Sequence, residues 1–267
     1  MSIYLELTRR FNTGRFRAIL SGGQAVVMHR LAMMSKDGDW ILREDDEACQ
    51  HVLNVLQEYG ATYRFGAPLH PRWLVAGWSS HLEFVHTGLR VRTDFLTRPP
   101  RLSPERVEAM WARAYSSEIP FLEVVDLIET KKTNREKDYA VIGELARLLV
   151  APEEILLHSR SARDLAAVAK AHPDLVARLL SRRPMLAALA DGRWDVLEAA
   201  LDAERRQLMR AHEARLARFA AAAARWAAIW PEVSREMASL PLAAAHALMI
   251  RRAEGVLPVA VPEGEPI

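Results

Sequence analysis

The sequence predicts an α/β protein of the α+β kind, in which a small mixed sheet with flanking helices is followed by a helical C-terminal region. Two observations lead to this prediction. Residues 1–150 alternate short runs of β-branched and aromatic residues with turn residues, which is typical of strands separated by turns and helices. Residues 151–267 contain 30 alanines, against 12 in residues 1–150, and this composition favours helices. We therefore expect two domains, residues 1–150 and residues 151–267.

The elements of the first region follow from hydrophobic periodicity and from turn signals. A Ser-Gly-Gly turn at residues 21–23 separates a strand from a helix, and Gly60 ends a helix whose N-terminus contains the acidic residues 45–47. Around the His-Thr-Gly of residues 86–88, two runs alternate with the period of a strand and predict a hairpin. The predicted helices are 4–11, 24–33, 46–59, 104–114, 124–132 and 136–149, and the predicted strands are 15–20, 40–42, 82–85 and 89–96.

The second region is predicted to be a series of helices. Prolines at positions 152, 173, 184, 231 and 241 mark their boundaries. The longest helix is predicted over residues 194–230, because apolar residues recur there at helical spacing.

Composition excludes several classes of protein. The chain has 36 Lys and Arg against 34 Asp and Glu, so its net charge of +2 gives no reason to expect general coating of nucleic acid. A single cysteine, Cys49, excludes an intramolecular disulfide and a zinc site built from cysteines. The N-terminal residues lack the long apolar core of a signal peptide, and no stretch reaches the roughly 20 apolar residues of a membrane span. We expect a cytoplasmic protein with no membrane partner.

Three aspartates are the candidate metal ligands. Asp37 and Asp39 are two residues apart, so on a strand both carboxylates project to one face. Two like charges held together are unfavourable unless a cation lies between them, and hard oxygen ligands favour Mg²⁺ or Mn²⁺. Asp94 lies within an otherwise apolar alternating strand, which a neighbouring strand can bring beside the pair. Three such carboxylates at a sheet end can hold the divalent ions that support in-line phosphoryl displacement.

A glycine turn supplies the candidate phosphate-binding residues. Gly22 and Gly23 lie between a predicted strand and a predicted helix, where free backbone N–H groups and the positive helix end attract a phosphate. Glycine lets the backbone approach closely, and Ser21 adds a hydroxyl donor.

In this order, the motifs resemble those of the nucleotidyltransferase superfamily of DNA polymerase β. Gly22-Gly23, thirteen intervening residues, Asp37-Gly38-Asp39 and then Asp94 match that pattern. More closely, the chain is similar to bacterial nucleotidyltransferase-like proteins of abortive-infection and type IV toxin–antitoxin systems. That similarity rests on residues 19–29 (ILSGGQAVVMH) and 126–139 (DLIETKKTNREKDY), and the whole resemblance covers roughly residues 12–150.

The resemblance implies a nucleotidyltransferase fold and roles for particular residues. Asp37, Asp39 and Asp94 would bind the metal, and Asp94 would also help to activate an attacking hydroxyl. Ser21, Gly22 and Gly23 would hold the β and γ phosphates of a nucleoside triphosphate.

Basic residues of the second similar segment are candidates for phosphate contacts. Lys132 and Arg135 are the predicted nucleotide-binding cations. The alternative is that they pair with neighbouring acids along a helical turn. The sequence leaves both interpretations open. His81 and Glu83 share a face of a predicted strand, but we do not expect them to form a metal site.

Three hypotheses of function follow. The first is a Mg²⁺-dependent nucleotidyltransferase that moves a nucleoside monophosphate from a triphosphate such as ATP to a hydroxyl or phosphate acceptor on RNA, a protein or a small molecule. The second is a catalytically inactive nucleotidyltransferase fold that serves as a binding or regulatory module, with a small partner protein, in a toxin–antitoxin or phage-defence system. Gly38, between the acids, and Gln24, after the glycines, depart from the family pattern and motivate the second hypothesis. A third hypothesis is an RNA-binding helical protein.

Overall fold

A computed structural model describes residues 2–115 and 118–261. The fold is mixed α/β, with one five-stranded sheet and many helices. The strands are β1 (Ala18–Ser21), β2 (Asp37–Leu42), β3 (Thr62–Tyr63), β4 (Ser80–His86) and β5 (Leu89–Leu96). The helices are α1 (Ile3–Phe11), α2 (Gly22–Met28), α3 (Asp46–Glu58), α4 (Pro71–Leu74), α5 (Pro104–Ala114), α6 (Val124–Thr130), α7 (Glu136–Ala146), α8 (Pro152–His158), α9 (Ala162–Ala171), α10 (Pro173–Leu179), α11 (Trp194–Ala222), α12 (Ala224–Met237) and α13 (Leu242–Ala253). A 3₁₀ helix covers Pro184–Asp191.

The chain divides into two compact units. The first contains residues 1–122 and 216–266, and the second contains residues 123–215. These limits differ from the predicted boundary near residue 150, because α6 packs on α7 and α8 while α13 packs on α3. The C-terminal helices after residue 216 therefore complete the core of the first unit. The composition of the sequence does not indicate that the chain returns to this unit.

The sheet of the first unit has the strand order β1-β2-β5-β4-β3. Strand β2 pairs antiparallel with β1 and parallel with β5, so the sheet is mixed. Strands β4 and β5 form the predicted hairpin, in which His86 pairs with Leu89 across the two-residue turn. On the outer edge of β1, the backbone of Leu20 bonds to residues 120 and 122 and extends the sheet by a short bridge.

One face of this sheet packs against helices α1, α3 and α13 to form the core. Trp40 of β2 is fully buried, stacks on Phe95 of β5 and meets the edge of Phe11 from α1. Its indole N–H donates to Thr8 Oγ1 at 3.0 Å, so the one polar group of the ring is satisfied. This aromatic cluster fixes α1 on β2 and β5.

The second unit is helical and has its own apolar core. Leu156, Leu165, Leu186 and Leu197 are among its buried residues. Arg183 is also buried, with its guanidinium donating to the carbonyls of residues 156 and 159 and to Glu204. A buried charge is tolerated because each guanidinium nitrogen donates to an acceptor and Glu204 compensates the charge.

Most predicted elements are present, but several differ in their limits. The strand predicted over 40–42 begins at Asp37, the strand predicted over 15–20 covers Ala18–Ser21, and α2 begins at Gly22 inside the predicted Ser-Gly-Gly turn. The helix predicted over 24–33 ends at Met28, and the short elements β3 and α4 had no prediction. The helix predicted over 194–230 is divided at Ala223 into α11 and α12, and α12 continues through Pro231 to Met237. Proline 231 therefore lies within a helix, where apolar packing of Trp226 and Val233 outweighs the lost hydrogen bond.

Within the ranges 2–115 and 118–261, no helix has both the length and the apolar character required to cross a bilayer.

A buried tyrosine–histidine pair links β3 to α13. The hydroxyl of Tyr63 accepts from the backbone N–H of Leu69 at 3.2 Å and donates to Nδ1 of His246 at 2.7 Å, and the two rings are stacked. Burial, with a smaller contribution from His70, lowers the pKa of His246 to about 4. The imidazole is therefore neutral when it accepts this hydrogen bond.

We expect this pair to make the stability of the first unit depend on pH. The pKa of His246 is lower in the folded state, so its contribution is complete above about pH 6.5 and is lost as the pH falls toward 4. Between about pH 7.5 and pH 5 the loss amounts to roughly 2 kcal/mol. His246→Gln keeps an acceptor for Tyr63 but does not titrate, so it should reduce the pH dependence by this amount. Urea unfolding at the two pH values measures the difference, and equal slopes for wild type and variant would contradict the prediction.

Candidate functional site

Four polar side chains form one row across the open face of the sheet. Ser21 of β1 pairs with Asp39 of β2, Asp39 pairs with Asp94 of β5, and Asp94 pairs with His81 of β4. Directly paired residues of neighbouring strands project to the same face, with strand spacings of about 4.8 Å. We call Ser21, Asp39, Asp94 and His81 the polar row. The structure thus brings Asp39 beside Asp94, although the two acids are distant in the sequence.

The alternation of strand β2 explains why the acids lie on the open face. Trp40 and Gly38 project to the core face, so Asp37 and Asp39 project to the other. A Cβ atom at Gly38 would lie 2.6 Å from Cδ1 of Tyr4 and would also overlap the ring of Trp40. Glycine between the two acids therefore has a packing role, since any side chain there would collide with two aromatic rings.

Gly22 provides room for the carboxylate of Asp39. Its φ angle is +56°, a conformation that favours glycine, and a Cβ atom there would overlap Oδ2 and Cγ of Asp39. Ser21, directly before it, is buried, and its hydroxyl makes no capping hydrogen bond to α2. At Gly23 a Cβ atom would overlap the side chain of Ser35. The glycine pair is thus packed directly against the acidic strand.

Asp37 has one buried oxygen without a hydrogen bond. Its Oδ1 is enclosed and accepts from no group in the described part of the chain, although a guanidinium nitrogen of Arg92 lies 3.8 Å away. The amide of Gln24 donates to the backbone carbonyl of Ser35 at 3.0 Å and more weakly to that of Asp37 at 3.4 Å. Gln24, the other departure from the family pattern, therefore holds the loop that leads into the acidic strand.

Asp94 has two partners on its side of the polar row. Its Oδ1 accepts from Nδ1 of His81 at 2.7 Å and from the guanidinium of Arg64 at 3.3 Å. The same guanidinium lies 3.7 Å from Glu83. Because an ionised carboxylate only accepts hydrogen bonds, Nδ1 of His81 carries the proton in this contact.

The charges of the site change the pKa of the neighbouring Tyr4. Its hydroxyl donates to the backbone carbonyl of Lys36 at 2.6 Å, at the start of the acidic strand. Burial raises the pKa of this phenol, and the charges of Asp37, Asp39 and Asp94 raise it further. The three carboxylates therefore act together on one neighbouring group, as expected for a cluster of negative charge.

The donors of this site fit a divalent cation in chemical kind. Carboxylate oxygens are the ligands that Mg²⁺ prefers, Asp37 offers an enclosed oxygen without a hydrogen bond, and Gly22 leaves the carboxylate of Asp39 uncovered by a side chain. Among the described residues, however, no three His, Cys, Asp or Glu side chains are gathered closely enough to hold a metal ion. Asp94 is bonded instead to His81 and Arg64.

Lys132 and Arg135, the predicted nucleotide-binding cations, lie in the second unit and are paired there. The amine of Lys132 donates to Glu129 at 2.5 Å, and the guanidinium of Arg135 bonds to Asp138 at 2.8 Å. Burial raises the pKa of Glu129, but His158 and Lys132 more than compensate and bring it to about 2, so the carboxylate is ionised. These are the pairings with neighbouring acids that the sequence had left open, and a role in nucleotide binding stays a prediction.

Two residues of the site had no functional prediction. In the sequence, His81 was considered only together with Glu83, as a metal site that we did not expect. Arg64 was not a candidate for any role. A signal for His81 was present: a hairpin with a two-residue turn at Thr87 and Gly88 places residue 81 opposite residue 94. Nothing in the sequence places Arg64 beside them, because β3 follows a loop and is only two residues long.

Comparisons with known proteins returned no match among protein-family models, curated proteins or solved structures.

We expect Gly38→Ala to destabilise the first unit. The added methyl group overlaps Tyr4 and Trp40, and overpacking of this kind costs about 1–3 kcal/mol. Gly143→Ala is the matched control, because open space surrounds Gly143 in α7 and alanine there favours the helix. Chemical denaturation followed by circular dichroism measures both. If Gly38→Ala unfolds at the same denaturant concentration as the wild type, the rings of Tyr4 and Trp40 accommodate the methyl group without a loss of stability, and the prediction is contradicted.

Proposed function

We propose that the protein is a divalent-cation-dependent nucleotidyltransferase that transfers a nucleoside monophosphate from a nucleoside triphosphate to a hydroxyl or phosphate acceptor. The single observation that carries this proposal is the register of β2 and β5, which sets Asp39 opposite Asp94 beside the glycine pair that follows β1. Acids on adjacent parallel strands, next to the glycine pair that begins α2, suit a polyphosphate with its cation.

Each residue of the site has a role in this proposal. Asp37 and Asp39 would hold the cation, with the enclosed Oδ1 of Asp37 as one donor atom. Gly22 and Gly23 would receive phosphate oxygens on their backbone N–H groups, and the Ser21 hydroxyl would add a donor. Asp94 would complete the metal ligands and accept the proton of the acceptor hydroxyl.

The chemistry of the transfer balances with these groups. The acceptor oxygen forms a bond to the α-phosphorus, the bond from that phosphorus to the pyrophosphate oxygen breaks, and the acceptor proton passes to Asp94. When bound, the divalent cation supplies charge stabilisation for the phosphate oxygens. ATP is the first triphosphate to test, and RNA, proteins and small molecules are the acceptor classes.

We expect the double variant Asp37→Asn and Asp39→Asn to lose both Mn²⁺ binding and nucleotide transfer. Asparagine keeps the shape of the site but removes the two negative charges that attract the cation. Purified protein is incubated with labelled nucleoside triphosphates, Mg²⁺ and cell extract, and labelled products are separated. The control is the double variant Asp174→Asn and Asp191→Asn, which removes two exposed charges from the second unit. Transfer that survives in the site variant would refute the mechanism.

A second candidate is a catalytically inactive binding module. One observation favours it: Asp94 is already bonded to Arg64 and His81, so its charge is compensated without a metal ion. In this case the fold would serve a regulatory role, with a small partner protein, as in a toxin–antitoxin or phage-defence system.

Calorimetric titration with Mg-ATP and Mg-GTP distinguishes the two candidates. The transferase should bind at least one of them with release or uptake of heat, and the Asp37→Asn and Asp39→Asn double variant should not. No heat for either nucleotide with the wild type, together with no labelled product, would favour the module.

A further inference from the structure

The surroundings of Asp94 differ from those of the other two acids. Both of its partners contact the same oxygen, Oδ1: His81 from the neighbouring strand β4, and Arg64 from the residue after β3, the next strand of the sheet. Side-chain exposure is 26% for Asp94, 28% for His81 and 33% for Arg64, so all three are partly open to solvent. A ligand entering this face of the sheet would meet a carboxylate that is already engaged.

The imidazole of His81 is held in place by its surroundings. A Cβ atom at Gly66 would lie 2.6 Å from Cδ2 of His81, so the ring lies directly against the backbone of that glycine. The carbonyl of Gly66 accepts from the indole N–H of Trp226 at 2.9 Å, and the N–H of Ala67 donates to Ser79 at 3.0 Å. The segment that supports the ring is thus anchored to the buried core.

Arg64 has a second acidic partner within reach. Its backbone N–H donates to the carbonyl of His81 at 2.9 Å, which fixes where the side chain begins. Its guanidinium lies between Asp94 at 3.3 Å and Glu83 at 3.7 Å. If Arg64 moves away from Asp94, Glu83 still lies close enough to compensate its charge, so the guanidinium is not left without an acidic partner.

The two partners differ in their relation to a bound metal ion. The imidazole N–H of His81 donates to one oxygen of the carboxylate and leaves the other oxygen for a cation, as partners of metal ligands commonly do. A guanidinium carries a full positive charge at the carboxylate, so it repels a divalent cation there and competes with it for the same group.

We propose that His81 and Arg64 are positioning residues of Asp94 with opposite effects on a divalent cation: His81 orients the carboxylate toward the cation, and the charge of Arg64 on the same carboxylate opposes the cation. This inference rests on the proposed function, since it takes Asp94 as a ligand. Arg64 and His81 touch neither substrate nor cation and act only through Asp94.

The test is Mn²⁺ binding to the full-length chain without nucleotide, measured from the signal of free Mn²⁺ in electron paramagnetic resonance. His81→Phe keeps a ring against Gly66 but removes the N–H, and we expect the affinity for Mn²⁺ to fall about 10- to 100-fold. His81→Asn keeps a donor to Asp94 and should stay near the wild-type affinity. Circular dichroism confirms that each variant is folded.

Arg64→Gln should have the opposite effect. Removing a competing charge from a partly exposed pair should raise the affinity for Mn²⁺ by about two- to fivefold. Arg64→Lys keeps the charge and should restore the wild-type value, and Arg251→Gln, which removes an exposed arginine of α13, is the control for a change in net charge. A purely structural role for Arg64 would give weaker binding or no change, not tighter binding.

The outcomes separate this inference from the function on which it rests. If wild type binds no Mn²⁺, the metal-dependent function fails and this inference fails with it. If wild type binds Mn²⁺ through Asp37 and Asp39, but His81→Phe and Arg64→Gln both match it, the proposed function stands and only the inference is overturned. Weaker Mn²⁺ binding by Arg64→Gln would likewise contradict the proposal that Arg64 opposes the cation.

Discussion

The parallel pairing of β2 with β5 is the interaction on which the rest of the first unit depends. One register serves both faces of the sheet: Trp40 lies beside Phe95 in the core, and Asp39 lies beside Asp94 on the open face. Because side chains alternate along a strand, a slip of one residue would move the aromatic ring to solvent and the carboxylates to the core. Burial of the ring therefore fixes the position of the acids, and folding stability and site geometry come from the same pairing.

The open face of the sheet balances negative charge with arginine while leaving acids accessible. Arg92 lies 3.8 Å from Asp37, and Arg64 lies between Asp94 and Glu83. Ion pairs this exposed contribute little to stability, so they compensate charge without locking the side chains. The charge of this face is thus partly compensated by arginines, which is consistent with either of the two proposed functions.

Buried charge is treated differently in the second unit. Glu129 is paired with Lys132 and His158, and Glu204 is paired with Arg160 and Arg183, all with low exposure. Removing one partner from such a group leaves an uncompensated charge, which is costly. Lys132 therefore has a structural role whether or not it contacts phosphate, and loss of activity in a Lys132 variant would not by itself identify a ligand.

The sequence by itself determined the α+β class, most element positions in the first 150 residues and the common face of Asp37 and Asp39, because these follow from periodicity and turn residues within short segments. It also contained, in the two-residue hairpin turn, the pairing of His81 with Asp94. Only the tertiary structure decided that residues after 216 complete the first unit, that Arg64 reaches Asp94, and that Gly38 is required by the rings of Tyr4 and Trp40. The physical reason is that each of these features depends on contacts between segments that are distant in the sequence. The local propensity of a residue does not determine which distant segment packs against it.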